Sequence, residues 1–595
     1  MLLLVLAASL AAQDGYALQR TKFKGNDALS NGKLRAAVQM KGMTVWRVLL
    51  FWKGPQHYDP EMLDDDRQSL LRLYQKEGFL DVSIEPLVQV NHQRKKVRVT
   101  YMIWENRPID VGEVRYSIDL PGEALRDTLM QRLRHKSNLR TGSRFRDASV
   151  TAERKHISQR LAETAFPFPT IQRNLDVRLS TYTADVDWHI SPGPRCRLGH
   201  THVTGAPFNT EGYVRSRIAY SEGDWYTPQA LRRTQNAIYA LGVFEAVGVR
   251  APRDSLRGDR LPVLIDLTPM PRKHLRTGVG WGTEERFRAF ASYRLLHLFH
   301  GVERLDVSAR HSWLEPWSLS ATLTHPALLY SRTALSVSPF VRRQRETAWT
   351  LDRYGAEASL RRPLSASIRL TLSYKFERNE LRESSLSASE IEEATDNTLY
   401  NKSTLGLNLD IDTATPSQDP SAGWHTGAIV SYSGPGSSYP LASVVFEARR
   451  YQGIARGLVL ALKAKGGVIH TLQGNHVVPV EERFYAGGSR SVRGWKRSSL
   501  GPEDDDGNPA GGLSLLEGSA ELRYPIWNKF SGVVFVDAGN VWTQARHYPL
   551  SELRYAGGVG LRYNSPVGPA RIDVATPIDQ PAHPVQVHIS IGHAF

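Results

Sequence analysis

The chain of 595 residues has a single cysteine, Cys196, and beyond its first residues it has no apolar run of the roughly eighteen that a membrane-crossing helix needs. The first lack excludes an internal disulfide framework. With no small-residue lipobox before a cysteine near the N-terminus it also excludes lipid attachment there, so Cys196 reads as a small core residue. The second excludes helical membrane spans. The marks of covalent and metal chemistry are missing too: there is no H-E-x-x-H, nucleophile elbow, phosphate loop or pair of catalytic carboxylates, so neither an enzyme nor a cofactor is expected. The acidic run Glu503-Asp504-Asp505-Asp506-Gly507-Asn508 has consecutive instead of alternating carboxylates and no following glutamate at calcium-loop spacing; it reads as a solvated loop.

The opening MLLLVLAASLAAQDG has the apolar core and small residues of an export signal over 1–12, cleaved near Ala11 or Ala12. It lacks a basic leading segment, which places the expected native start codon upstream. The net charge is +15, and residues 1–271 hold 39 Lys and Arg against 29 Asp and Glu, so the front of the chain is its basic part. The stretch RKKVR (94–98) lies on an apparent strand without regularly spaced stacking aromatics. A solvated face is expected there, and no nucleic-acid partner.

Residues 17–271 mix short strands with helices and repeat weakly at a period of about 85. Three α+β units are expected, over 17–107, 108–194 and 195–271. The first opens with LQRTKFKGN (18–26) and continues to LLRLYQKEGFLDVSIEP (70–86), where a helix ends at Gly78 and a strand follows. In the third, Tyr239, Gly242 and Phe244 echo Tyr74, Gly78 and Phe79. The middle unit, with IDVGEVRYSI (109–118) and VTAERKHISQRLAETAF (150–166), lacks the tyrosine and glycine marks.

From 272 to 595 the period changes to two. In ASIRLTLSYKF (366–376) one face is Ile368, Leu370, Leu372, Tyr374 and Phe376, and the other is Ser367, Arg369, Thr371, Ser373 and Lys375. A soluble sandwich seldom charges its inner face in this way, whereas a transmembrane β-barrel sets lipid outside and water inside. Sixteen such segments fit between 274–282 and 586–595. An even number returns the last strand beside the first, and closure pairs every backbone group where lipid offers no hydrogen bonds. Val585, Val587, Ile589, Ile591 and Phe595 form the apolar face of the last segment, while His588 and His593 are expected to line its faces.

The stretch RFYAGGSRSVRGW (483–495) is too glycine-rich and polar for a core strand. Gly487 and Gly488 permit backbone angles closed to other residues. Parity in LSLLEGSAELRYPIW (513–527) turns Glu517, Ser519, Glu521 and Arg523 to the lumen, and SGVVFVDAGNVW (531–542) carries an F-x-D-x-G pattern through Phe535, Asp537 and Gly539. POTRA-like repeats before a sixteen-strand barrel, an interior V-R-G-W and a terminal phenylalanine together resemble the BamA/TamA superfamily of outer-membrane assembly factors, over nearly the whole chain. The resemblance implies that Val492, Arg493, Gly494 and Trp495 form the tip of the sixth extracellular loop, folded back into the lumen, with Trp in place of the family's Phe or Tyr. It implies that Arg493 contacts acidic wall groups, for which Glu521 and Asp537 match the family's positions, and that Ile589, Ile591 and Phe595 form a terminal-strand signal.

The fold so implied is a series of α+β POTRA repeats followed by an all-β transmembrane barrel of sixteen antiparallel strands. The function implied is that of a bacterial outer-membrane factor with POTRA units in the periplasm. It would receive unfolded or extended outer-membrane or secreted clients and insert or translocate them through a lateral seam between 274–282 and 586–595. Three repeats are more like TamA than BamA, which usually has five; membrane lipids and a periplasm-spanning partner resembling TamB would accompany that reading. Two alternatives stay open. One is a two-partner-secretion transporter exporting a substrate through the lumen, although its usual two repeats and plug helix are not evident; the other is a passive channel or structural anchor.

Overall fold

A computed structural model describes residues 16–41, 57–299, 301–384, 399–416, 419–455, 457–472, 478–527, 529–565, 568–580 and 584–591. The expected export signal over 1–12, His593 and Phe595 lie outside the described residues. The chain divides into two compact units: residues 1–202 with 219–235 and 249–265, and residues 203–218 and 236–248 with 266–595.

The front of the chain builds three small sheets. The first uses β1 (Ala17–Lys24), β2 (Ser83–Asn91) and β3 (Lys96–Trp104) in the order β1-β3-β2, with helices α1 (Asn31–Ala37) and α2 (Pro60–Lys76). Alternation in β3 buries Val97, Val99, Tyr101 and Ile103 in one core with Leu70 and Tyr74 of α2. Helix α2 starts where Asp59 accepts the Glu61 N–H and Pro60 occupies the first turn. The second sheet, β4 (Asp110–Ile118), β5 (Thr170–Arg178) and β6 (Thr183–Ser191), has the order β4-β6-β5 with helices α3 (Glu123–Arg134) and α4 (Asp147–Glu163). The third, β7 (Arg197–Thr204), β8 (Phe244–Arg250) and β9 (Arg260–Pro269), has the order β7-β9-β8 with helices α5 (Glu211–Arg215) and α6 (Pro228–Tyr239).

The repeat is kept by position, and less by residue type than the sequence suggests. Tyr74 is fully buried, but Tyr239 is 54% exposed; the place four residues before the left-handed turn belongs to Leu161 in the second unit and Ile238 in the third, both fully buried. The glycine missing from the middle unit is Ala165, which adopts φ +72° where Gly78 and Gly242 have +91° and +72°. The next residue is buried in each case: Phe79, Phe166 and Val243. The Gly78 carbonyl accepts from the Ile109 N–H, and the Ala165 carbonyl from the Cys196 N–H, both at 2.8 Å, so the turn residue also fastens the following segment. Cys196 is fully buried, and burial pushes its thiol above the ordinary value.

A second repeated mark is visible only in three dimensions. Asp66 accepts from the Gln39 and Met40 N–H groups at 2.6 and 3.0 Å, Glu153 from the Asn138 N–H at 2.6 Å, and Thr234 from the Ala219 N–H at 2.9 Å. Each is fully buried on the longer helix of its unit and satisfies backbone in the segment between that unit's two helices.

A Cβ on Gly78 would lie 2.1 Å from the Phe145 carbonyl oxygen, whereas one on Gly242 would meet nothing closer than an Arg304 guanidinium nitrogen at 3.1 Å. Both substitutions suffer the backbone penalty of about 1–2 kcal/mol for a left-handed alanine, but Gly78→Ala also forces backbone apart. It should therefore destabilise the chain more than Gly242→Ala and accelerate hydrogen exchange at the Ile109 and Phe145 amides; equal effects would show that the close approach is unimportant.

The remainder is a closed antiparallel barrel of sixteen strands, from β10 (Lys273–Gly282) to β25 (Gln586–Ile591). Strand β16 (Ile368–Ser384) shows why it closes around water: Leu372, Tyr374 and Phe376 are exposed on the outside, while Glu377 and Asn379 are buried inside. At the end where β10 begins, Trp527 stacks on Phe530 at 6.2 Å and Phe530 approaches Tyr563 at 4.7 Å, forming part of an interfacial aromatic belt. By alternation of strand direction, the long loop 472–513 between β20 (Leu458–Thr471) and β21 (Ser514–Trp527) leaves from the opposite end.

Candidate functional site

The loop turns inward because its backbone can crowd together. Bridges Phe484–Gly512 and Ala486–Leu500 hold its two limbs side by side. At the tip, Gly487 and Gly488 adopt φ +99° and +101°. A Cβ on Gly487 would lie 2.4 Å from the Lys496 carbonyl oxygen, so the sharp turn requires glycine. The tip carries apolar residues with it: Val492, Trp495 and Leu500 pack with Leu515, Val541 and Ala556 of the wall. Gly494 permits a close approach, since a Cβ there would lie 2.6 Å from the Ala556 Cβ.

Arg493 is delivered by this packing into a wall built by β21, β22 (Phe530–Trp542) and β24 (Gly568–Pro577). Its Nε donates to Asp537 at 2.7 Å and its Nη2 to the other Asp537 oxygen at 2.8 Å, a bidentate fork, while the Arg493 backbone N–H adds a third bond at 3.1 Å. Nη1 donates to Glu521 at 2.7 Å and lies 3.8 Å from Asp573. The guanidinium carbon sits 3.3 Å from the Phe535 ring centroid. The F-x-D-x-G residues thus have distinct tasks: Phe535 is the platform, Asp537 the acceptor, and Gly539 the space, since a Cβ there would lie 2.9 Å from Val492 Cγ2. Burial would ease the proton off Arg493, but the Asp537 hydrogen bond and the surrounding carboxylates outweigh it and hold the group charged above its ordinary value.

Two further attachments were not visible in the sequence. Arg497 donates to both carboxylate oxygens of Glu346, at 2.9 and 2.7 Å, and lies 3.4 Å from Glu284. On the near limb, Lys402 in β17 (Leu399–Asp412) contacts Glu482 at 2.6 Å, and Val480 packs with Ala348, Trp349 and Leu351. Asp573, which also takes Arg562, likewise carries no motif of its own. Ile589 lies in β25 opposite Ile572; Ile591 pairs through its backbone with Trp281. His588 is buried, and its Nε2 lies 2.9 Å from the Arg493 carbonyl oxygen.

Arg493→Ala would leave Asp537 and Glu521 without their counter-charge, a change worth about 3–5 kcal/mol for a buried pair and less in a wet lumen. Trypsin cleavage after Arg490, Lys496 and Arg497 in the detergent-solubilised protein should rise by roughly a hundredfold, with Arg493→Lys intermediate because a point charge cannot fork. Unchanged protection would mean that the loop is held elsewhere.

Glu481 is pushed up to about 8, by burial first and then by the neighbouring Glu482 charge. A raised carboxyl stabilises the seated loop below the unfolded value near 4.3, and that contribution fades as pH rises through about 8. Protection of Arg483 from trypsin should therefore fall as pH rises from about 6 to about 8 and level off above that. Glu481→Gln should abolish this fall, whereas Glu482→Gln should weaken protection already at pH 7; a pH profile unchanged by Glu481→Gln would refute the assignment.

Comparison with known proteins bears on the same regions. A family model described as an Omp85 superfamily domain matches residues 303–595, and one described as POTRA, a surface antigen variable number repeat, matches residues 16–106. The chain is 23% identical to the outer membrane protein assembly factor BamA of Neorickettsia risticii, over 94% of this chain and 75% of that protein. It is 22% identical to the BamA of Neisseria meningitidis serogroup B over the same shares. The crystal structure of BamA from Haemophilus ducreyi lacking POTRA domains 1–3 superposes with a TM-score of 0.63 at 19% identity, covering 81% of this chain and 99% of that one, a likeness of fold.

Proposed function

Since the chain belongs to the BamA/TamA superfamily of POTRA-bearing outer-membrane barrels, we propose that it assembles client proteins into the outer membrane by exchanging strands at the β10–β25 seam. The barrel lies in the outer membrane and the POTRA region in the periplasm. Unfolded or extended clients would be received there by strand addition to sheet edges, which supplies main-chain hydrogen bonds without demanding one sequence.

The observation that carries the seam reading is the register of the last strand. Trp281 pairs with Ile591 and Gly282 with Ser590, after which β10 ends. Gln586, Val587 and His588 run on beyond it, paired with Ala575, Val574 and Asp573 of β24 and, among the described residues, on that side alone. By contrast β10 and β11 (Arg286–Leu296) stay in register from Lys273–Leu295 to Gly282–Arg286. A strand edge left open beside lipid is costly, and an incoming client strand could satisfy it. Export through the lumen is disfavoured by the 472–513 loop, whose attachments reach Lys402, Glu346 and Asp537 on separated parts of the wall. Lipids around the seam and a periplasm-spanning partner resembling TamB belong to the same reading.

With Cys196→Ser as background, Gly282→Cys and Ser590→Cys occupy registered positions, where a disulfide is geometrically accessible. Oxidation should stop insertion of an outer-membrane client into reconstituted vesicles while the barrel stays folded, and reduction should restore it. Equal insertion in both states would exclude the seam as an obligatory route. Steady single-channel conductance without client dependence would favour a passive channel instead.

A further inference from the structure

The loop tip touches both sides of the seam, through residues that the V-R-G-W and F-x-D-x-G patterns do not include. On the β10 side, Glu284 in the turn before β11 accepts the Ser489 N–H at 2.5 Å. On the β25 side, His588 Nε2 lies 2.9 Å from the Arg493 carbonyl oxygen. A carbonyl oxygen can only accept, so Nε2 carries the proton and donates. The other ring nitrogen, Nδ1, is 3.6 Å from Glu284, so the two side chains face each other across the seam with the loop tip beside them. Arg571 of β24 adds a bond to the Ser489 carbonyl oxygen at 3.4 Å. Gly488 has a second reason to be glycine, because a Cβ there would lie 2.9 Å from the Glu284 carboxylate and displace it.

These contacts form a chain: Glu284 to Ser489, along the loop backbone to Arg493, and from its carbonyl to His588. We propose that Glu284 and His588 are positioning residues that staple the seam through the loop tip, so that seam and loop release each other. The proposal rests on the reading of the β10–β25 seam as the place of strand exchange. The seam's own backbone pairing ends at Gly282–Ser590, with the Thr283 N–H reaching the Ile589 carbonyl just beyond at 2.9 Å, so the staple lies where pairing runs out. A hydrogen bond to a charged group shifts a two-state population by roughly tenfold or more. The coupling is reciprocal: whatever frees Arg493 from Asp537 loosens the seam, and whatever opens the seam weakens the hold on the tip.

The test uses the full chain in detergent without client. Spin labels at Phe287→Cys and Val587→Cys, both lipid-facing, report the width of the seam in the Cys196→Ser background. Glu284→Ala and His588→Phe should each raise the wide-distance population by roughly tenfold. His588→Gln, which keeps a donor near the position of Nε2, should stay narrow. The double variant Glu284→Ala/His588→Phe should open no further than either single one, since both cut the same chain, and Glu284→Ala should add nothing to Arg493→Ala. Additive opening, or an unchanged seam in a variant whose loop has become trypsin-sensitive, would overturn the staple. The two readings fail separately. If the seam populations respond as expected but client insertion ignores the Gly282–Ser590 disulfide, the staple stands and the seam function falls. If the disulfide blocks insertion but Glu284→Ala and His588→Phe leave the seam narrow, the reverse holds.

Discussion

A guanidinium held inside a barrel, with 5% of the Arg493 surface exposed, has to be surrounded by acceptors, and much of the local sequence is explained by that one requirement. Asp537 and Glu521 meet it directly and Asp573 lies within 3.8 Å. The wall carboxylates would repel one another without the cation, so the acidic wall and the basic loop each make the other tolerable. The small residues around them follow from the same demand. Gly494 lets the loop backbone reach Ala556, Gly539 leaves room for Val492, and the pair Gly487 and Gly488 bends the chain tightly enough to present the arginine side-on to the wall.

The wall itself comes from alternation. A strand that turns Leu516, Ala520 and Leu522 outward in β21 turns Glu517, Ser519 and Glu521 inward, and the lipid face therefore creates a polar lumen without further design. A polar lumen can accept a loop, which a hydrophobic core could not. Glu517 illustrates the density of the arrangement: it lies 3.6 Å from Lys463 and takes the Ser491 hydroxyl, so the loop is bound through neutral as well as charged groups. Attachments at Lys402 and Glu346 give the loop purchase away from the Arg493 wall, and the Glu284 and His588 contacts bring it to the seam. The element that folds into the lumen is thereby also the element that touches the turn after the first strand and the last strand itself.

The front part of the chain solves a different problem, that of small cores in succession. Each unit places one fully buried polar side chain on its longer helix, Asp66, Glu153 or Thr234, to satisfy backbone amides that a short helix pair would otherwise strand. These three residues are chemically different, which explains why the weak repeat showed itself at tyrosine and glycine instead. Even there the type misled: Ile238, not Tyr239, occupies the place of Tyr74, because what the position requires is an apolar shape facing the sheet. Ala165 stands where the other two units have glycine, since surrounding packing can hold a small side chain in the left-handed region.

Period-two alternation and strand parity were legible from the residues alone. They locate sixteen strands and the inward faces of β21 and β22, and with the V-R-G-W resemblance they point to Arg493, Glu521 and Asp537 as neighbours. Strand ends were less legible: β16 runs to Ser384, beyond its apolar face, because Leu381, Glu383 and Ser384 still pair with the preceding strand through backbone, which does not need an apolar side chain. The residues that only the tertiary structure could select were Asp573, His588, Glu284 and the Lys402–Glu482 pair. Parity states which side of the wall a residue faces, but not its height or its neighbour across the lumen. Those depend on the stagger with which all sixteen strands close, a property of the whole ring that no single strand carries.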